Sequence, residues 1–280
     1  ELTTYKNVAI TAQLSAVDPE GDLLSFHLLD KPARGSVTFS EDGSGEFVYT
    51  PYENKTGKDS FTYVAVDAVG NTSAPATVKI RIEKANTKVT YADMAGHPAH
   101  KSAIRLAEAG IFVGQQVGDE YFFCPEAAVT RGEFVAMALS AAGVETLEGV
   151  TRTGFADDGE IPVWAKPYAS AALKAGLVLG STDGEGRAVF NASAPITRAE
   201  AAVLLDRALQ VTDVSAALYA ETAPAWASQS AANLATCGVL RADTSGALLL
   251  ENTMTRAEAS ELLCSALELL DSRSTSWFPW

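Results

Sequence analysis

The chain has 280 residues, 47% hydrophobic and 20% charged, with 21 Lys and Arg against 35 Asp and Glu for a formal net charge of −14. That is enough apolar material for two to four domains. No apolar run approaches the roughly 20 residues that span a bilayer, and a charge of this sign gives no long-range attraction to nucleic acid or an anionic membrane surface.

The sequence begins at Glu1 without a basic-then-apolar leader, so any targeting segment is expected to have been removed or to lie outside it. The charge is uneven: through Lys88 there are 9 basic and 12 acidic residues, and beyond it 12 and 23. Up to about residue 84, apolar and polar residues alternate in short runs such as Phe47-Val48-Tyr49-Thr50, Phe61 to Val66 and Thr77 to Ile82. Period two predicts strands. Turn residues at Asp18 to Asp22, Asp42 to Gly45, Asn54 to Gly57 and Gly70-Asn71 separate the runs. Their spacing predicts a β-sandwich of about seven strands over residues 1–88.

The stretch from Val17 to Ile82, with Asp-Pro-Glu-Gly-Asp at 18 to 22, Gly35-Ser36-Val37, Phe47 to Pro51 and Asp59 to Tyr63, resembles bacterial Ig-like, cadherin-like modules. The resemblance implies a secreted spacer or adhesive module without catalytic residues. In relatives a comparable acidic turn holds calcium, which wants six to eight oxygens. Asp18, Glu20, Asp22 and Asp67 are the corresponding candidates here, and a solvated turn accounts for them equally.

Beyond a polar linker at 83 to 89, Ala-rich stretches with apolar residues three and four apart predict helices. These stretches repeat. Thr130-Arg131-Gly132-Glu133 returns as Thr197-Arg198-Ala199-Glu200 and Thr255-Arg256-Ala257-Glu258. An aromatic and an acid open each copy at Tyr91-Ala92-Asp93, Phe155-Ala156-Asp157 and Tyr219-Ala220-Glu221, and a helix ends at Gly110, Gly176 and Gly238. Another apolar residue stands eight before each Arg, at Phe123, Phe190 and Leu248. The pattern divides the chain into copies at 89–144, 145–212 and 213–280.

Thr followed three later by Glu is a capping box, so those two residues need no further role. Val129, Ile196 and Met254 before each Thr suit a hydrophobic staple. Arg is different, because the first helical position already carries partial positive charge. Three such residues in one chain predict anion sites, each an Arg fork beside free helix amides; the competing reading is an Arg paired with a neighbouring acid. Trp164 and Trp226 stand twelve before their Gly, either packed at a helix start or offered as a platform for a sugar face. Pro98 replaces them in the first copy.

Taken together, residues 91 to about 270 resemble three tandem S-layer homology domains. The resemblance is densest in the second copy: Phe155-Ala156-Asp157, Trp164-Ala165, Gly176 to Gly180 and Pro195 to Glu200. It implies an all-α pseudo-threefold bundle after the all-β sandwich, with secondary cell-wall polysaccharide of bacteria held in grooves between copies. The polymer's pyruvate ketal would supply the carboxylate. Carried over by position, the ligand contacts are Arg131, Arg198, Arg256, Asp93, Asp157, Trp164 and Trp226, with backbone near Gly114 and Gly180. Pro98, Glu221 and Ala242 depart from the pattern.

Three Cys, at 124, 237 and 264, form neither a disulfide framework nor a CxxC-type metal site. Free thiols are expected, with a Cys237–Cys264 bridge left open. His97 and His100 have no Cys or Glu at a metal-ligand spacing, so zinc is not expected. No nucleophile motif or phosphate loop is present. Adjacent acids such as Asp157 and Asp158 rarely face each other at the roughly 5 to 9.5 Å that glycoside hydrolysis needs.

The expected function is therefore non-catalytic anchoring outside the cell, at the wall or S-layer, with no cofactor other than calcium at the sandwich turn. The alternatives are a protein-binding lattice module and the C-terminal part of a wall hydrolase whose active site lies upstream. The aromatic tail, Ser272 to Trp280, either folds back on the bundle or stays free.

Overall fold

A computed structural model describes every residue except 19, 20, 22, 41, 213, 215–222, 244 and 276–280. The chain forms two compact units. One takes Glu1–Ile104 with Gln116–Phe122; the other takes Arg105–Gln115 and the described residues from Phe123 onward.

Among the described residues seven strands build the sandwich of the first unit: β1 (Leu2–Tyr5), β2 (Ile10–Gln13), β3 (Ser25–Asp30), β4 (Gly35–Phe39), β5 (Glu46–Pro51), β6 (Gly57–Val66) and β7 (Ala76–Glu83). One sheet runs β1-β7-β6-β3 and the other β2-β5-β4. β1 lies parallel to β7, and the remaining pairs are antiparallel. The alternation works as expected: Phe47, Tyr49 and Pro51 of β5 are buried while Val48 and Thr50 face out. Phe47 and Tyr49, with Ile10, Leu14, Phe61, Ile80 and Ile82, make the core between the sheets. Gly35 is required there, because a Cβ would stand 2.6 Å from the Tyr49 ring.

The Tyr49 hydroxyl donates to Asp59 Oδ2 at 2.7 Å, and the amides of Ala33 and Arg34 donate to the same carboxylate. Burial, followed by that bond, pushes the Tyr49 phenol well above its ordinary range.

Among the described residues six α-helices follow: α1 (His100–Glu108), α2 (Arg131–Ala141), α3 (Lys166–Lys174), α4 (Arg198–Leu209), α5 (Ser228–Thr236) and α6 (Arg256–Thr275). Gly110, Gly176 and Gly238 take positive φ of 67°, 70° and 77° just past α1, α3 and α5, as a left-handed cap requires. α2, α4 and α6 each pack against the other two, α3 packs on α2 and α5 on α4. Alanines at 169, 171, 172, 199, 201, 202, 231, 259 and 266 let these helices approach closely around one continuous core.

The helical region is not all-α. Loops between helices form two short hairpins, β8 (Gln115–Val117) with β9 (Glu120–Phe122), and β10 (Ser181–Thr182) with β11 (Ala188–Val189). Strands of two or three residues carry too little period to be read from sequence. In the tail, α6 continues through Thr275, and Trp277, Phe278 and Trp280 lie outside the described residues.

Backbone hydrogen bonds join the three copies in a cycle. The Val129 amide donates to Met254, that of Met254 to Ile196, and that of Ile196 to Val129, each at 3.0 Å. All three side chains are buried. The apolar residue before each Thr is therefore a junction between copies.

Candidate functional site

The repeated Thr-Arg-x-Glu string places a capping box at the start of α2, α4 and α6. In each, one carboxylate oxygen takes the cap amide: Glu133 Oε2 from Thr130, Glu200 Oε2 from Thr197 and Glu258 Oε2 from Thr255. The other oxygen faces the Arg of a different copy. Arg131 Nη2 lies 2.6 Å from Glu200 Oε1, Arg198 Nη1 3.8 Å from Glu258 Oε1, and Arg256 Nη2 3.4 Å from Glu133 Oε1. The three ion pairs close on themselves, the first copy to the second, the second to the third, and the third to the first.

The expectation of free helix amides beside each Arg is corrected here. The amides of Arg131 and Gly132 donate to Ala194 and Ala192, those of Arg198 and Ala199 to Asn252 and Leu250, and those of Arg256 and Ala257 to Ala127 and Pro125. Each helix start is thus satisfied by carbonyls of the neighbouring copy. The Arg charge at that position is compensated by an acid seated on the next helix. The competing reading, an Arg paired with an acid, describes all three forks.

The acceptor loops share an unusual backbone. Cys124, Asn191 and Leu249, each seven residues before its Arg, take φ of 54°, 55° and 50°. Left-handed φ is ordinary for Asn and costly for Cys and Leu. Asp157 holds the second of these loops, its Oδ1 accepting from the Phe190 amide and its Oδ2 from the Asn191 amide. The carboxylate that opens the copy thereby ties its first half to its second. Asp93, in the first unit, is half-buried; burial and then its charge push the Tyr91 hydroxyl up. Glu221 lies outside the described residues.

Asp158 points elsewhere than Asp157. It accepts from the Thr153 amide and hydroxyl and lies 2.9 Å from Lys166 Nζ. The Thr153 amide, then the Lys166 ammonium and the Thr153 hydroxyl, hold its pKa down to about 2. Both acids of this pair are committed to local structure.

Open grooves lie beside the Arg131–Glu200 and Arg198–Glu258 pairs. The larger, about 400 Å³, is lined by Arg131, Glu200, Leu177 to Ser181, Val203, Leu204, Arg207 and Trp226. The smaller, about 240 Å³, is lined by Arg198, Val239 to Asp243, Leu249, Glu258, Glu261, Leu262 and Ser265. The larger brings together Arg131, Gly180 and Trp226 from three different copies. Trp226 is 60% exposed and Trp164 50%, so both rings face solvent.

Gly180 has φ 80°, and a Cβ there would meet Val189 O at 2.7 Å and the Phe155 ring at 2.9 Å. Gly114 likewise has φ 72°. Ala242, at the matching place in the third copy, does not take a positive φ. In that smaller groove Arg198 is held by two carbonyls, Nε on Leu248 and Nη2 on Arg241. Arg256 sits 5.4 Å over the Phe112 ring and donates Nη1 to Phe123 O.

Three partners were not read from the sequence as site residues: Glu133, Glu200 and Glu258, whose capping role explained them without a second contact. Arg207 was missed as well. Its counterparts nine residues past the Arg are Ser140 and Ser265, so a search by repetition passes over it.

At the sandwich turn, Glu20 and Asp22 lie outside the described residues. Asp67 spends Oδ1 on the amides of Val69 and Asn71 and Oδ2 on Asn71 Nδ2. Among the described residues no cluster of three or more His, Cys, Asp or Glu is placed to hold a metal. Cys124, Cys237 and Cys264 are in no disulfide, so the bridge left open is not formed; Cys124 and Cys237 are half-buried and Cys264 buried. Among the described residues no helix is long and apolar enough to cross a membrane.

Residues 154–202 match the S-layer homology domain. Residues 1–84 match the bacterial cadherin-like domain. The S-layer homology match covers the second copy from just before Phe155 to early α4, including Asp157, Trp164, Gly180, Arg198 and Glu200. The three-copy pattern therefore receives family support in its middle copy.

A stretch of 133 residues is 29% identical to the surface-layer 125 kDa protein of Lysinibacillus sphaericus, covering 47% of this chain and 11% of that much longer protein. Among solved structures, an endo-fucoidan hydrolase of glycoside hydrolase family 107 overlaps 30% of this chain and 12% of its own at 22% identity and TM-score 0.26. A variant of the SrpA adhesin from Streptococcus sanguinis overlaps 33% of this chain and 63% of its own at 18% identity and TM-score 0.26. Overlaps that loose bear on neither fold nor function.

Proposed function

We propose that the chain is a non-catalytic anchor of the bacterial cell surface, whose three S-layer homology repeats, arranged about a pseudo-threefold axis, bind secondary cell-wall polysaccharide in the grooves between copies. The cadherin-like unit serves as spacer or adhesive module. The observation that carries this reading is the larger groove, where Arg131, Gly180 and Trp226 converge from three copies. The cyclic Arg–Glu pairs and the Val129, Ile196 and Met254 junction support the threefold arrangement. The S-layer homology match and the surface-layer relative support a location at the wall or S-layer.

An exposed indole offers an apolar face to a sugar and an N–H to donate. A guanidinium offers a planar fork for a carboxylate such as a pyruvate ketal. To engage it, the ligand acid shares or displaces Glu200, which keeps its second oxygen on the helix cap. The acidic surface opposes an anionic polymer at long range, so capture is slow and short-ranged and tolerates salt better than that of a basic module. Several modest grooves on one repeating polymer gain avidity through effective concentration.

The test is retention of the full chain on purified wall sacculi before and after hydrofluoric acid removes the secondary polymer. Retention that disappears on stripping supports the proposal. Equal retention on stripped sacculi overturns it, and release of sugar from the wall would make the chain an enzyme.

A further inference from the structure

The two open grooves differ in charge and in how far their cations are already spent. The larger holds Arg131 and Arg207 against one acid, Glu200. The smaller holds Arg198 and Arg241 against Asp243, Glu258 and Glu261. The Arg198 fork is further occupied by the carbonyls of Leu248 and Arg241. Arg207 is exposed, rests Nη1 on the Leu177 carbonyl at 3.2 Å, and makes no ion pair among the described residues. In a chain of net charge −14, a cation left without an acid beside an open groove and an exposed Trp is a ligand contact in waiting.

Spacing adds a constraint. Glu200 and Arg207 are seven apart on α4, hence on one face and about 10 Å apart along the axis. Arg131 lies against Glu200, so the groove receives its two guanidiniums from helix positions about two turns apart. Two acidic groups on different sugar residues can engage them separately, with Trp226 in the same groove. At Arg131 an incoming acid competes with Glu200; at Arg207 it competes only with a neutral carbonyl.

We infer that the groove of Arg131, Arg207 and Trp226 is an acidic-glycan site, that Arg207 selects a second anionic group, carboxylate or phosphate, and that the groove beside Arg198 is not an anion site. This rests on the glycan-binding reading of the repeats. Because Arg207 is unique to the second copy, the three copies are not interchangeable ligand sites.

The experiment is calorimetric titration of the full chain with polymer released from sacculi by muramidase, comparing wild type, Arg207→Gln, Arg207→Lys and Arg241→Gln. Arg207→Gln is expected to weaken binding about tenfold or more, Arg207→Lys to retain most of it, and Arg241→Gln to stay within about twofold of wild type. The wild-type advantage over Arg207→Gln disappears on carboxyl-reduced polymer if the second group is a carboxylate and persists if it is a phosphate. Arg207→Gln binding as wild type does, or Arg241→Gln losing as much, overturns the groove assignment alone. No binding by wild type overturns the anchoring reading as well. Matching thermal midpoints for the variants confirm that folding is not what changed.

Discussion

Glu200 serves two masters: Oε2 accepts the Thr197 amide at 3.0 Å within its own helix cap, while Oε1 meets Arg131 Nη2 at 2.6 Å from another copy. The same division recurs at Glu133 and Glu258. One carboxylate thus couples a local signal to a long-range one. The pair is partly shielded, with side-chain exposures of 17% and 25%.

Arg131→Ala should therefore destabilise the helical unit by about 1 to 3 kcal/mol, between the cost of an exposed pair and a buried one. Glu200→Gln should cost less, because the amide oxygen still caps α4. Urea unfolding with a double-mutant cycle on the two positions is expected to give a coupling of about 1 kcal/mol; zero coupling would mean that the pair is ornamental.

The Val129, Met254 and Ile196 cycle makes each copy depend on the other two. Removing residues 213–280 takes away an acceptor for Val129 and the donor to Ile196, and exposes apolar surface of α2 and α4. The remaining chain should lose the cooperative unfolding transition of the helical unit while keeping that of the sandwich, read by calorimetry. A truncated chain with an intact helical transition would contradict the interlock.

Gly180→Ala should destabilise by about 1 to 3 kcal/mol, since it forces a Cβ into a left-handed backbone. The Cβ would also meet Val189 O at 2.7 Å. Ala242, at the matching place in the third copy, has no positive φ and so no such strain. Thermal denaturation of Gly180→Ala beside the surface control Gly184→Ala separates strain from a general glycine effect.

Asp158 provides a pH signature. Its folded pKa of about 2 lies below the ordinary 3.8, so its contribution is fully present above pH 3.8 and is lost as pH falls through 2. Asp158→Asn should be less stable than wild type at neutral pH, and the gap should close between about pH 4 and pH 2. Melting curves across that range test this; a gap independent of pH would show that the Lys166 and Thr153 contacts do not depend on the carboxylate charge.

How far the site was legible follows from where its information lies. Strand alternation in β5 and the Thr–Glu spacing are local, so the sandwich and the caps could be read. The three Arg residues were picked out by their unfavourable position, but their partners lie far along the chain, as Glu200 does from Arg131. The same distance hid the carbonyls of Ala194, Asn252 and Ala127 that take the helix amides. Positive φ at Cys124 and Leu249 had no residue-type signal, since only Asn191 of the three favours it. Arg207 was illegible for the opposite reason: repetition was the guide, and it does not repeat.

The most direct test of groove binding is calorimetry of muramidase-released polymer with wild type and Trp226→Ala. The ring is exposed and lines the larger groove, so its removal should leave the melting midpoint unchanged while weakening binding about tenfold or more. Saturable binding that is indifferent to Trp226→Ala would contradict the account.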